Sequence, residues 1–251
     1  MSNTPLSNFT LALGDDALVL GHRLSEWCGQ APMLEEDIAL SNLGLDLIGQ
    51  ARLFYTYAAE LEGKGRGEDD LAYFRDASGY RNLLIVELEN GDFAHTIARQ
   101  FLYAAFLHPY FEALRASKDA RLAGIAAKAV KEMAYHVRHT SEWMIRLGDG
   151  TAESQQRVSA ALDELWGYTG EMFEMSDAER GLAAAGLAPD RASILPRWDS
   201  TVDHVLREAT LARPNDRAMQ TGGRRGRHTE GLDHMLAEMQ VLARQHPGAT
   251  W

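Results

Sequence analysis

One histidine stands among the apolar residues of a long predicted helix. Around residues 128–147, apolar side chains recur at the three- and four-residue spacing of a buried helical face. His136 follows Met133 by three residues and Glu132 by four, so these three side chains can point into one interior region. Four-helix proteins that bind two metal ions use this frame, with Glu-x-x-His on two helices and one carboxylate on each of the others. A metal site is therefore one chemistry that this helix could support.

Two interpretations of His136 follow from its neighbours. In the first, it is a core histidine that hydrogen-bonds a neighbour such as Glu132, which is the commoner environment of a buried imidazole. In the second, an autonomous metal-binding protein or oxygenase uses Glu26, Glu132, His136 and His139, with water completing the coordination shell. The spacing alone leaves both interpretations open.

The remaining helices show how complete such a metal site could be. The inward positions at matching depth are Glu26, Leu47, Gln50, Ala104, Met133 and His136. Glu26 and His136 are the good iron ligands among them, because the apolar side chains offer no hard oxygen and a neutral amide binds iron poorly. We therefore predict a framework that has lost its metal and carries no cofactor. Gln50, Glu26 and His136 would then form a buried hydrogen-bonded cluster, since an unpartnered buried amide is costly.

Long helices would position these residues. We predict helices over residues 15–30 and 34–61, both opened by carboxylates that favour a helix N-terminus. A third helix follows the N-cap residue Asp92 and should be kinked by Pro109, and a fourth ends near Leu147. Modest connections make these four helices an antiparallel bundle.

The pattern of the whole chain is that of an all-α protein. Leucine and alanine far outnumber valine and isoleucine, and strand-like alternation of apolar and polar residues has little support. We predict a single domain over residues 1–251, with a core bundle at about 12–147 and further helices at about 151–246 as cladding or interface.

Composition excludes several classes of function. The net charge of -11 argues against a nucleic-acid surface, which needs a positive field. Cys28 is the one cysteine, which fits a reducing compartment, and no uncharged apolar run is long enough for a membrane helix. We expect a cytoplasmic protein that binds neither nucleic acid nor membranes.

Two segments between the helices carry cations. Residues 71–82 mix aromatic residues with Arg75 and Arg81, so they form either a packed connector with exposed arginines or a contact for a nucleotide-like ligand. The second segment, residues 221–240, opens with a glycine-rich loop whose cations are Arg224, Arg225, Arg227 and His228. We favour an interface with an acidic neighbouring subunit for this loop over an anion site at the following helix.

Four stretches resemble a known family. They are RLSEWCGQAP (23–32), DIALSNLGLDLIGQARLFYTYAAELEG (37–63), AKAVKEMAYHVRH (127–139) and TGGRRGRHTEGLDHMLAEMQ (221–240). They resemble the C-subunit family, PaaC, of the bacterial 1,2-phenylacetyl-CoA epoxidase, a multicomponent ring-hydroxylating monooxygenase. The resemblance extends along essentially the whole chain.

The resemblance implies a ferritin-like fold and a non-catalytic partner of a homologous A subunit, which carries the di-iron site. The metal-binding motifs of the A subunit would correspond here to Leu47-x-x-Gln50 and Met133-x-x-His136, and its third-helix carboxylate falls at or within one residue of Ala104. The coenzyme A moiety of phenylacetyl-CoA would lie near Gly79, Tyr80, Arg81, Asn82 and Arg180. The leading hypothesis is thus a structural subunit, and the autonomous metal-binding protein is the alternative.

Overall fold

Helices make up the regular structure of the chain. The computed structural model describes residues 4–215 and 217–249, and within them there are ten α-helices, four 3-10 turns and no strand. The α-helices are α1 (Pro5–Ser25), α2 (Leu34–Glu62), α3 (Glu68–Tyr73), α4 (Leu84–Glu87), α5 (Phe93–Leu114), α6 (Ala120–Gly148), α7 (Ala152–Trp166), α8 (Asp177–Ala184), α9 (Leu195–Glu208) and α10 (Glu230–Gln245).

The described residues fall into two compact units. Unit 1 contains residues 4–30, 34–89 and 221–249, and unit 2 contains residues 31–33, 90–215 and 217–220. Helix α10 therefore groups with α1–α4, although it is the last helix in the chain. The C-terminal helices at about 151–246, which the sequence predicts as one outer set, are divided between the two units.

In unit 1, α1 and α2 form an antiparallel pair. Gly14 of α1 lies against Tyr55 of α2, and Gly21 lies against Gly44, so residue numbers rise along one helix as they fall along the other. A Cβ atom on Gly14 would stand 2.6 Å from the Tyr55 ring, which explains why glycine occupies this position. The boundaries of α2 agree with the predicted helix over residues 34–61.

Helix α1 begins ten residues earlier than the predicted start at Asp15. Thr4 is its N-cap, and the Thr4 hydroxyl accepts a hydrogen bond from the Ser7 backbone. Asp15 and its neighbour Asp16 lie in the middle of the helix and are buried. The assignment of these carboxylates to the first turn is wrong, because buried partners elsewhere in unit 1 satisfy them.

In unit 2, α5 and α6 form the second antiparallel pair. Phe93 meets the Trp143 ring edge-on at 5.0 Å between centroids, and further along the pair Gln100 contacts His136. Asp92 is the N-cap of α5, as predicted, with its carboxylate accepting from the His95 backbone.

Pro109 lies inside a helix of unit 2, as predicted. α5 continues through Pro109 to Leu114, and the kink at this proline stays a prediction. α7 stops at Trp166, and Met172 lies in a separate 3-10 turn that follows it. Within residues 4–215 and 217–249, we find no helix with the combined length and apolar character needed to cross a bilayer.

Candidate functional site

His136 is a buried member of the α5–α6 pair. Its Nδ1 atom lies 3.0 Å from Nε2 of Gln100, and the side chains of both residues are inaccessible to solvent. An amide nitrogen can only donate, so Nδ1 is the acceptor of this hydrogen bond. This is the hydrogen-bonded core histidine of the first interpretation.

Sequence reasoning missed Gln100 as the partner of His136. The signal was present, because Gln100 follows Ile97 by three residues and precedes Ala104 by four, on the buried line of α5. Glu132, named as an example of a partner, has Lys128 at 3.5 Å from its carboxylate.

The positions matched to metal ligands are apolar on three helices. Leu47 on α2, Ala104 on α5 and Met133 on α6 are fully buried, and Gln50 is almost so. Hydrocarbon side chains cannot coordinate iron, and a thioether is a soft donor that suits iron in a carboxylate-type site poorly. The donor set at these positions therefore does not fit a pair of iron ions.

Glu26 does not lie in the interior. It is the residue that follows α1, its side chain is 35% exposed, and its carboxylate is 3.0 Å from the Arg23 guanidinium. The prediction that Glu26 is an inward residue of a buried cluster with Gln50 and His136 is wrong in this respect. Because α1 ends at Ser25, the apolar stripe of this helix does not predict the burial of Glu26.

The alternative metal set is no more complete. Glu132, His136 and His139 all lie on α6, where the His139 ring stacks on Tyr135 at 5.8 Å, while Glu26 is exposed at the end of α1. Across residues 4–215 and 217–249, no group of three or more His, Cys, Asp or Glu side chains is arranged to hold a metal ion.

Unit 1 instead concentrates its buried charge around Asp15. The Asp15 carboxylate forms an ion pair with Arg75 and accepts hydrogen bonds from the Tyr55 hydroxyl at 2.7 Å and the Arg81 backbone at 2.8 Å. Burial would lower the pKa of Arg75, but the Asp15 carboxylate outweighs it and raises that pKa. Burial, reinforced by Asp15, raises the pKa of Tyr55 well above its usual value.

This network corrects the expectation of exposed arginines in residues 71–82. The Arg75 guanidinium lies 4.2 Å from the centroid of the Tyr80 ring, and its side chain is 9% exposed. Arg75 is thus a buried structural cation.

Arg224 in the glycine-rich loop also binds a carboxylate of unit 1. Its guanidinium pairs with Asp16 at 2.5 Å and donates to the Arg81 carbonyl at 2.6 Å. Gly223 precedes it in close contact, since a Cβ atom there would stand 2.1 Å from the Asn82 carbonyl oxygen. The loop can take this path only because residue 223 has no side chain.

His228 closes the same loop onto Glu87. Its Nδ1 atom is 2.7 Å from the Glu87 carboxylate, and its Nε2 atom is 3.1 Å from the Tyr80 carbonyl. Both partners are acceptors, so both ring nitrogens must donate, which requires the protonated imidazole. Burial works against that charge, but hydrogen bonding and attraction from Glu87 prevail and raise the pKa of His228.

The loop cations therefore divide into two pairs. Arg224 and His228 are engaged inside unit 1, whereas Arg225 and Arg227 are exposed. The prediction of a subunit interface at this loop now depends on Arg225 and Arg227.

Comparison with known proteins shows the family of this chain. The sequence model of the phenylacetic acid catabolic protein family matches residues 1–251. The chain belongs to this family. The C subunit of the 1,2-phenylacetyl-CoA epoxidase of Escherichia coli K12 is 49% identical over 246 residues, covering 98% of this chain and 99% of that protein. The resemblance found in the sequence is confirmed, and so is the all-α, ferritin-like fold.

The candidate coenzyme A residues of this family member lie in both units. In unit 1, Tyr80 and Asn82 are fully buried, and the Asn82 amide donates to Glu87 at 2.7 Å. Gly79 and Arg81 keep partial exposure. In unit 2, Arg180 pairs with Asp177 at 2.5 Å beside an open cavity of about 510 Å³ that Phe173 and Asp190 help to line.

Proposed function

We propose that this chain is the non-catalytic structural subunit of a multicomponent phenylacetyl-CoA epoxidase in the aerobic degradation of phenylacetate. The observation that carries the proposal is the apolar character of Leu47, Ala104 and Met133, at the places where a catalytic relative needs carboxylates. The similarity to a protein named as the C subunit of such an epoxidase supports the same role.

Under this proposal, the partners are a homologous di-iron A subunit and the other epoxidase components, in the cytoplasm. The A subunit supplies the oxygen chemistry, and this chain supplies a rigid helical surface. The buried polar groups suit that task, because Asp15, Asp16 and Glu87 are all occupied in holding segments of unit 1 together. We assign neither nucleic-acid nor membrane binding to the chain.

Reconstitution from purified components tests this proposal. The A subunit of the same organism, the reductase components and phenylacetyl-CoA are combined with and without this chain, and the epoxide is measured. We expect product only when both subunits are present and none from this chain without the A subunit. Product from this chain alone, or full activity and stability of the A subunit without it, would refute the structural role.

The contact with coenzyme A is tested in the same assay. If Arg180 meets a phosphate of the ligand, Arg180→Ala raises KM for phenylacetyl-CoA by about fivefold, which corresponds to one exposed charge-assisted contact. Arg157→Ala is the matched control, since Arg157 is another exposed arginine of unit 2 that pairs with an acidic side chain on its own helix. An equal KM in both variants would remove Arg180 from the ligand site.

The loop interface has a separate test. Reversal of charge in Arg225→Glu/Arg227→Glu should weaken association with the A subunit without changing the melting temperature, because both side chains are exposed. Unchanged association would reject this loop as an interface.

A further inference from the structure

Helix α2 exposes a line of large apolar side chains. Leu34, Ile38 and Leu45 are 71%, 55% and 64% exposed. They follow one another at intervals of four and seven residues, which places them on one side of the helix over about 16 Å. We call these three residues the α2 stripe.

The opposite side of α2 is apolar as well. Leu40, Leu43, Leu47 and Phe54 are fully buried on the side that packs within the fold. A surface helix ordinarily keeps polar residues on the side that faces solvent. The α2 stripe is thus a second apolar face, opposite the buried one, on a helix that also carries charged residues such as Glu35 and Asp46.

Helix α6 shows that this is not a general property of the long helices. It has 29 residues, as α2 has, and it also buries a matched ligand position. Its exposed positions include Arg121, Lys131 and Arg138, and Tyr135 is 37% exposed among them. The outer face of α6 is therefore polar enough to face solvent. The α2 stripe, in contrast, exposes an apolar surface of the kind that a partner covers.

Shape and charge define what fits the stripe. Gly49 lies four residues after Leu45 on the same side, and a Cβ atom there would meet nothing within 4 Å, so another backbone can approach closely. Glu35 and Asp46 each follow a stripe residue and lie about 100° further round the helix, forming one acidic edge. A second copy of this chain, with a net charge of -11, would meet that edge with like charge.

We infer that the α2 stripe docks an apolar helix of the partner subunit, with lysine or arginine residues of that helix facing Glu35 and Asp46. The inference rests on the proposed function, in which the partner is the A subunit. It adds the face of this chain that forms the centre of the interface and the chemistry of the helix that covers it.

The test measures binding of the intact chain to the purified A subunit by biolayer interferometry. Ile38→Glu/Leu45→Glu should raise Kd by about 100-fold or more, because truncating or charging central apolar anchors costs most of their binding energy. The matched control is Ala127→Glu/Ala134→Glu, which places the same two charges seven residues apart at exposed positions of α6. Its Kd should stay within about threefold of wild type.

Gly49 provides a second, steric test. Gly49→Trp should weaken binding by about tenfold or more, whereas Gly49→Ala should not weaken it, since only the large ring blocks a closely packed helix. Both substitutions enter open space, so both variants should fold.

The outcomes separate the inference from the proposed function. If wild type binds the A subunit and the stripe variants bind equally well, the α2 stripe is not the docking face and the structural role stands. A control that loses as much affinity as the stripe variant also overturns the inference. If the wild-type chain does not bind the A subunit at all, both proposals fail.

Discussion

Around Asp15, Asp16 and Glu87, unit 1 is held together by buried ion pairs, whereas around Trp198 unit 2 is held together by packed aromatic rings. Asp15, Asp16 and Glu87 are buried in unit 1, and each binds a cation from a segment distant in sequence. In unit 2, the Trp198 ring packs against Trp166 at 5.6 Å and Phe173 at 5.4 Å. These two regions are thus stabilised by different interactions.

Two arginines near the C-terminal end of the chain show what this difference means. Arg224 of unit 1 is 14% exposed and binds an almost fully buried carboxylate, Asp16. Arg213 of unit 2 lies over the Trp166 and Trp198 rings, and its ion pairs with carboxylates are open to solvent. A buried pair is costly to break on one side, but an exposed pair contributes little. The Arg224–Asp16 pair of unit 1 should therefore respond sharply to the removal of one partner, and the exposed pairs of Arg213 in unit 2 only weakly.

The largest expected effect is at Asp15. Asp15→Ala leaves the Arg75 guanidinium buried without its carboxylate, so we expect a loss of about 3–5 kcal/mol in the free energy of unfolding, measured by urea denaturation. Asp203→Ala, which removes an exposed partner of Arg213, should cost less than about 1 kcal/mol. Equal losses of unfolding free energy in the two variants would contradict this difference between the buried and the exposed ion pair.

A smaller effect is expected at the aromatic cluster of unit 2. The Trp198 indole donates to the Leu102 carbonyl at 2.9 Å, so Trp198→Phe should cost about 2–3 kcal/mol through the lost hydrogen bond and the cavity left by the smaller ring. This cost should be the same at low and high salt, because no charge is removed. A cost that changes with salt would show that electrostatics also governs this cluster.

The smallest effect distinguishes two histidines by the sign of their pH dependence. The pKa of His228 is raised in the fold, so its stabilisation is complete below the unfolded value of about 6.5 and is lost as the pH rises through the folded value. Burial, with Arg99 adding to it, lowers the pKa of His95 in unit 2. The folded protein therefore loses stability at this residue as the pH falls below the unfolded value of about 6.5.

Denaturation of matched variants would measure both trends. His228→Gln should cost about 1.5 kcal/mol at about pH 6 and less at about pH 8, since hydrogen bonds to a charged group are lost. His95→Gln should gain stability relative to wild type as the pH is lowered over the same range. Parallel pH profiles for the two variants would contradict the opposite shifts in pKa.

The parts of the fold that were predicted correctly depend on local chemistry. The start of α2 follows from its three acidic residues and its apolar seam, and the N-cap at Asp92 is a short-range signal. The start of α1 was missed because Asp15 and Asp16 imitate the acidic first turn of a helix. Their actual partners, Arg75 and Arg224, are 60 and 208 residues away, and no local pattern reports such pairing.

The candidate site was predicted in a similar way. The periodicity of α2 and α6 identified Leu47, Gln50, Met133 and His136 as inward, and all four are buried. Glu26 was misplaced, since the pattern does not show where α1 stops. The internal role of Arg224 and His228 could not be foreseen, because the glycine-rich loop returns to helices from the opposite end of the chain.

The central claim is that the interior of this chain no longer offers ligands for a di-iron centre. The direct measurement is iron content after the intact chain is incubated anaerobically with ferrous iron, passed through a desalting column and exposed to oxygen. We predict that no tightly bound iron is retained and that no oxo-bridge absorption develops. Two iron ions per chain, with that absorption, would contradict the account.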